Sequence, residues 1–246
     1  MWNKPHLLNA IADLLMLAAA AALLVAAAVW LVRMPSLPVR EVVFAEPLGH
    51  TRRLEIEQVL PATLKGNFFS INLEAVRGSL EKLPWVRKVE VRRIWPAKLE
   101  VSVEEHRPVA RWGEGRGELV NSYGEVFTAL LDETEQAVLP QLAGPTGTAS
   151  DVLKHYGEFV GAFQAVAEKP VQLTLSPRLA WQLKLENGIL VNMGREQPKS
   201  PVGARLQRFI EVYPETVAKR AIRPAVVDLR YPNGFAMRVA GDGKGK

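Results

Sequence analysis

The hydrophobic pattern of this chain opens without any periodicity: residues 14–32, LLMLAAAAALLVAAAVWLV, carry no charge. At about 1.5 Å rise per residue they span roughly 28 Å as a helix, close to the roughly 30 Å of a bilayer hydrocarbon core. Inside lipid the backbone must satisfy its own hydrogen bonds, which selects a helix. Asp13 and Arg33 bracket the run, at the borders where charges cost least, and Trp30 stands where an interfacial aromatic belongs. The run predicts a single membrane anchor. A cleaved signal peptide is a second reading, because small residues are plentiful over residues 18–28, but its apolar core is usually about 7–15 residues. A buried core helix is a third, but such helices usually show a polar stripe. Local charge leaves orientation open, since Lys4 precedes the run and Arg33 and Arg40 follow it.

Beyond the anchor, a short Pro-containing linker (residues 34–38) leads to a β-rich stretch over residues 39–45. Thr51 is a fair N-cap for a helix carrying Leu54, Ile56, Val59 and Leu60, with Pro61 expected to stop it. Asn72 is expected to cap a second helix, in which Leu73, Val76, Leu80 and Leu83 recur at helical spacing before Pro84. VRKVEVRRI then reads as a strand, Trp95, Pro96 and Ala97 as a turn, and KLEVSVEE as the return strand, with Leu99, Val101 and Val103 alternating against polar neighbours. Basic residues of the first strand can pair with Glu100 and Glu104 of the second. The unit reads β-α-α-β-β, and both helices should cover one face of its sheet.

The second half has another order. Short β-like pieces over 109–112, 119–121 and 124–127 precede a loop containing Leu139-Pro140 and Gly144-Pro145. A helix follows over about residues 150–167, with Val152, Tyr156, Phe159, Val160 and Phe163 as its stripe. LAWQLKL alternates, placing Leu179, Trp181, Leu183 and Leu185 on one face. Asn187-Gly188 is a type I′ hairpin signal, and Ile189, Val191 and Met193 continue the buried face. Ser200-Pro201 occupy the N-cap and N1 positions of another helix, with Val202, Leu206, Phe209, Ile210 and Tyr213 facing inward. A last hairpin runs AVVDLRY, Pro-Asn-Gly, FAMRV, and the Gly-rich tail GDGKGK is too polar to fold.

Composition then removes whole classes of chemistry. The chain has no cysteine, which excludes disulfides, thiolate metal sites and cysteine nucleophiles. Its net charge of +5 is spread along the sequence, which suits an anionic membrane or cell-wall polymer better than nucleic acid. The densest cluster, Arg87, Lys88, Arg92 and Arg93, alternates with apolar residues as a solvated strand face does. His6, His50, His106 and His155 fit no metal-ligand spacing. Gly113, Gly115 and Gly117 lack the Lys-Ser/Thr and following helix of a phosphate loop. No cofactor, small-molecule substrate or catalytic residue is expected. The final hairpin is more telling: Phe235, Met237 and Val239 share one face of a terminal strand, and an edge there is a template for strand addition. Internal pairing of that last strand is the plainer alternative.

The string LPWVRKVEVRRIWPAKLEVSVEEHRPVARW (residues 83–112) closely resembles the bacterial FtsQ/DivIB family. NFFSIN (67–72), LPQLAGPTG (139–147) and VDLRYPNGFAMRV (227–239) agree with it in order and spacing. The resemblance implies an α+β chain with a single transmembrane helix, a POTRA domain for the β-α-α-β-β unit, and a mixed β-sheet domain with two helices. The corresponding bounds are a cytoplasmic tail over 1–13, the transmembrane helix over 14–32, a linker over 33–38, the POTRA domain over 39–106, the β domain over 107–239 and a disordered tail over 240–246. It further implies a cytoplasmic N-terminus, a periplasmic bulk in the inner membrane at the septum, and a non-enzymatic scaffold that binds FtsB and FtsL and helps recruit the septal peptidoglycan synthase. Arg230, Tyr231 and Gly234 fall in the family motif, Phe235 and Met237 lie on the terminal strand, and Arg178 matches a family arginine that would clamp a partner carboxylate. A POTRA-type receptor in protein export or outer-membrane assembly is the alternative function. Two departures stand out: Ala45-Glu46-Pro47 replaces a frequent glycine, and Asn72 stands where Asp is common.

Overall fold

The computed structural model describes residues 5–33, 38–45, 47, 49–51, 53–115, 117–219, 223–231 and 234–239. Helix α1 (Pro5–Arg33) contains the apolar run and starts well before it. Its stretch Asn9–Trp30 is long and apolar enough to cross a membrane, and none of it is buried within the protein. The linker expected over 33–38 and the tail over 240–246 fall largely or wholly outside the described residues, as do Glu46 and the Pro232-Asn233 pair of the last turn. The chain divides into two compact units, residues 1–105 and 106–246.

In the first unit, β1 (Glu41–Phe44), α2 (Arg53–Thr63), α3 (Leu73–Leu80), β2 (Val86–Ile94) and β3 (Lys98–Glu105) follow in β-α-α-β-β order. The sheet order is β1-β3-β2, with β1 parallel and β2 antiparallel to the central β3. Strict alternation puts Leu99 and Val101 of β3 under Ile56 and Leu60 of α2 and Val76 and Leu80 of α3, all buried. Each such side chain contributes about 1.5–3 kcal/mol by leaving water. Asn72 caps α3 as expected, its side chain accepting from the Ala75 N–H at 3.1 Å. Pro61 does not stop α2, which continues to Thr63. It lies in the last turn, where a missing N–H removes a single bond, and the Leu64 N–H still reaches the Leu60 carbonyl at 2.9 Å. Glu105 ties the sheet to the entry of α2, where Thr51 was the expected cap. Its carboxylate accepts from the N–H groups of Gly49, His50 and Thr51 at 2.9, 3.1 and 2.7 Å.

The second unit is built on one nine-stranded sheet of order β12-β11-β10-β9-β8-β7-β4-β5-β6. Its elements are β4 (Pro108–Trp112), β5 (Glu118–Asn121), β6 (Val126–Thr128), α4 (Glu133–Val138), β7 (Gln141–Ala143), α5 (Ala149–Phe163), β8 (Pro170–Leu175), β9 (Ala180–Leu185), β10 (Leu190–Arg195), α6 (Val202–Tyr213), β11 (Pro224–Asp228) and β12 (Ala236–Val239). Phe159 and Phe163 of α5 and Leu206, Phe209 and Tyr213 of α6 form one core with Leu173, Leu183, Leu185, Val191 and Met193 of β8, β9 and β10. Residues 133–143, read as part of a loop, hold α4 and the short β7, which pairs in parallel with both β4 and β8.

Three local expectations change. Leu179 leaves the buried face: it sits in the β8–β9 turn with φ 57° and is 57% exposed. Asn187-Gly188 does not make a type I′ turn, because only Gly188 has positive φ, at 88°. The Leu185 N–H bonds the Ile189 carbonyl at 2.9 Å, which closes a three-residue loop with glycine at its left-handed position. Ser200 does not cap α6. Pro201 takes the cap position without a side-chain bond, and the Glu196 carboxylate reaches back to accept from the Val202 N–H at 3.2 Å.

Candidate functional site

One end of the second unit's sheet gathers the residues singled out by the sequence. β10 and β11 run parallel, with Asn192 opposite Asp228, so their C-terminal ends emerge together. The β8–β9 turn and the start of β12 reach the same end, because β9 and β12 run antiparallel to those neighbours. A cleft of about 540 Å³ there is lined by Arg178, Gly194, Arg195, Glu196, Arg205 and Arg230, among others. Arg178 and Arg230, far apart in sequence, thus face one space. Four guanidinium groups and a single carboxylate line it, which favours an anionic occupant.

Each arginine is held differently. Arg178 is exposed on the β8–β9 turn. Arg230 is exposed and bonds Asp228 through Nε at 2.8 Å to Oδ1 and 3.0 Å to Oδ2. That hydrogen bond is the main reason the Asp228 carboxyl lies below its ordinary pKa. Arg205, on α6, is only 2% exposed. Its Nη2 donates to the Arg195 carbonyl at 2.5 Å, and its Nε has no hydrogen-bond partner. Burial lowers its pKa, opposed by the nearby Glu196 carboxylate.

Gly194 makes the arrangement possible. It lies at a bulge in β10 with φ 74°, and a Cβ there would meet Arg230 Cγ at 2.8 Å. Its missing side chain is the space over which the Arg230 stem lies. No motif marks Gly194 or Arg205, because their roles come from a bulge and from helix packing.

β12 is the outermost strand beside this cleft, pairing with β11 alone among the described strands. Phe235, Met237 and Val239 are half-buried, while Gly234, Ala236 and Arg238 are exposed, so the expected alternation holds. Phe235 packs edge-on against Phe209 with ring centroids 5.3 Å apart. Gly234 and Phe235, with Phe209, Val212 and Leu229, form the apolar part of a second cleft of about 330 Å³, which Arg205, Arg208 and Glu211 also line. Tyr231 is 54% exposed and lines neither cleft. A strand edge unpaired among the described residues, a partly apolar cleft beside it and an arginine-lined cleft at its end are the parts that strand addition uses: main-chain hydrogen bonds for affinity and side-chain pockets for specificity.

Residues 37–106 match the model of the FtsQ-type POTRA domain, and residues 110–230 match that of the C-terminal region of cell division protein FtsQ/DivIB. The chain belongs to the FtsQ/DivIB family. It is 38% identical to cell division protein FtsQ of Burkholderia pseudomallei, over 98% of this chain and 95% of that one. It is 37% identical to FtsQ of Nitrosospira multiformis, over 97% and 99%, and 32% identical to FtsQ of Neisseria gonorrhoeae, over 99% and 97%. Arg178 and Arg230 fall inside the FtsQ/DivIB match, and Tyr231, Gly234, Phe235 and Met237 follow it. As a member of this family the chain is a protein of the division apparatus, and among the described residues α1 is the one helix long and apolar enough to cross a membrane.

Proposed function

We propose that this FtsQ-family chain is a non-enzymatic scaffold that receives FtsB, in complex with FtsL, by strand addition at β12. A segment of FtsB extends the sheet beyond β12, an acidic side chain of it enters the cleft of Arg178 and Arg230, and an apolar one enters the cleft beside Phe235. Met237 contributes from the strand, and Tyr231 and Gly234 from the turn before it. The N-terminus lies in the cytoplasm, and the POTRA domain and the second unit lie in the periplasm, where the complex gathers at the septum and helps recruit and restrain the septal peptidoglycan synthase. The observation that carries the reading is the placement of an unpaired strand edge beside an arginine-lined cleft at one end of the sheet. Anchoring on one helix suits a scaffold, because tethering raises effective concentration without new contacts.

The test is binding of the periplasmic segment of FtsB to the purified protein and to two variants. Tyr231→Ala, at an exposed position, weakens binding about tenfold or more if the tyrosine is an anchor. Phe235→Pro removes a backbone donor at the start of the edge and abolishes strand addition. Native affinity in both variants, with the unit still folded, would place recognition elsewhere.

A further inference from the structure

The first unit carries a second exposed feature at the β2–β3 turn. Trp95 is 67% exposed and Phe69 is 41% exposed, while Phe68 between them is buried. Their rings form one cluster, with centroids 5.9 Å apart for Phe68–Trp95, 6.3 Å for Phe69–Trp95 and 5.2 Å for Phe68–Phe69. Arg93 fixes the loop that presents them, donating from Nε to the Phe68 carbonyl at 2.7 Å and from Nη2 to the Ile71 carbonyl at 2.8 Å. The aromatic tip is therefore braced, and large aromatic area is left facing solvent.

Connectivity says what lies near it. The Arg40 N–H donates to the Ala97 carbonyl at 2.8 Å, and Glu41 is paired with Lys98 in the β1–β3 ladder. The turn therefore stands beside the point where the chain enters the unit from α1. From Arg33, where α1 ends, to Arg40 a fully extended chain reaches at most about 25 Å. Arg33 follows the apolar run directly, so α1 ends at the border between the hydrocarbon core and the headgroups. The tether therefore keeps the β2–β3 turn within about 25–30 Å of that border, within reach of the headgroup layer. Of the nearby charges, Lys98 pairs with Glu41 at 2.6 Å and Arg92 with Glu100, while the Arg40 side chain is exposed. The exposed apolar area of the tip is aromatic, the chemistry enriched at membrane–water interfaces.

We propose that the Trp95–Phe69 tip seats in the headgroup interface of the bilayer that α1 spans, holding the POTRA unit against the membrane by a second contact besides the anchor. The occupant is the lipid interface itself, and its recognition is by aromatic partitioning rather than by lipid charge.

The chain's lack of cysteine allows one unique label at a time. The full-length protein is reconstituted in phosphatidylcholine vesicles with a nitroxide on Ala97→Cys. A matched sample carries it on Lys82→Cys, which precedes β2 at the far end of the hairpin, roughly 30 Å away at about 3.3 Å per strand residue. Relaxation by oxygen, which concentrates in lipid, is compared with relaxation by a water-soluble nickel chelate. The expected result is an oxygen-dominated Ala97 label and a nickel-dominated Lys82 label, with the Ala97 label becoming nickel-dominated when Trp95→Ala and Phe69→Ala are added. A nickel-dominated Ala97 label in the otherwise native chain overturns the proposal, as does lipid exposure that survives loss of both aromatics. Should the double variant unfold, brominated-lipid quenching decides: Trp95→Phe lowers the quenched share of tryptophan emission, and an unchanged share overturns the proposal.

Discussion

Leu179 is strained and exposed at once, and that combination yields a test with two independent readouts. The β8–β9 loop and the β9–β10 loop close in the same way. In the first, the Ser176 N–H reaches the Ala180 carbonyl and the Leu179 N–H reaches the Ser176 carbonyl, at 2.9 and 2.8 Å. In the second, Leu185 pairs with Ile189, and the Gly188 N–H reaches the Leu185 carbonyl, each at 2.9 Å. Leu179 therefore occupies, at φ 57°, the position that glycine fills at φ 88° in the other loop. A Cβ in that conformation costs about 1–2 kcal/mol, and a side chain that is 57% exposed offsets only part of this by packing. Leu179→Ala and Leu179→Gly both delete the side chain, but only the glycine releases the strain. At an ordinary exposed site glycine is less stable than alanine by about 0.5–1 kcal/mol; here the order reverses, with glycine ahead by roughly 0.5–1 kcal/mol. That is about 2–4 °C in melting temperature for a unit of this size, within reach of scanning calorimetry on the purified protein. Leu179 adjoins Arg178 at the cleft, so both variants should bind the FtsB segment equally, about three- to tenfold more weakly than the native chain. An alanine variant at least as stable as the glycine variant would refute the strain argument, and native affinity in both would remove Leu179 from the interface.

Further outcomes follow from individual contacts. Gly194→Ala places a Cβ against Arg230 and strains a residue at φ 74°; it should destabilise the second unit by about 1–2 kcal/mol and weaken FtsB binding, measured by denaturant titration and binding isotherms. Burial pushes the Glu105 pKa up, but the hydrogen bonds from Thr51, His50 and Gly49 outweigh it and leave the carboxyl below its ordinary value. Its stabilisation is therefore complete above the unfolded pKa of about 4.3 and is lost as pH falls through the lower folded value. Glu105→Gln should cost about 1–2 kcal/mol at neutral pH and flatten the acid limb of the stability profile, and an unchanged profile would contradict this. Burial first, and then the hydrogen bond to Glu168, raise the Tyr213 pKa to about 12. Stability should fall as pH rises past the unfolded value of about 10, and the fall should be smaller in Tyr213→Phe.

Much of the fold is legible where one face of an element is buried and the other is not. β2 and β3 show this best, because the alternation of β3 and the Trp95-Pro96 turn set the register, broken only by an irregularity between Val86 and Lys88, and Arg87 meets Glu104 at 3.0 Å as expected. Asn72 was readable because a cap is a local hydrogen bond. The elements that escaped are those whose reason is distant. β7 is three residues long and exists because β4 and β8 flank it. Leu179 reads as a buried alternating residue, yet the hairpin needs a left-handed residue there. Ser200-Pro201 looks like a cap, but Glu196 supplies the acceptor from the preceding strand end. For the candidate site, the residues were legible and the site was not. Arg178 lies on the β8–β9 turn and Arg230 just after β11, and only the β9–β10–β11 register brings them together over Gly194, with Arg205 buried beneath. Pattern reports what a residue does for its own element, and a cleft at the end of a sheet belongs to several.

The central claim is that β12 is the edge to which FtsB adds. Hydrogen–deuterium exchange of the full-length protein with and without the periplasmic FtsB segment tests it most directly. The account predicts new protection of the amides of Ala236–Val239, with none at β6, the opposite edge of the same sheet. Protection at β6 or on the helical face, with β12 exchanging as it does in the free protein, would contradict it.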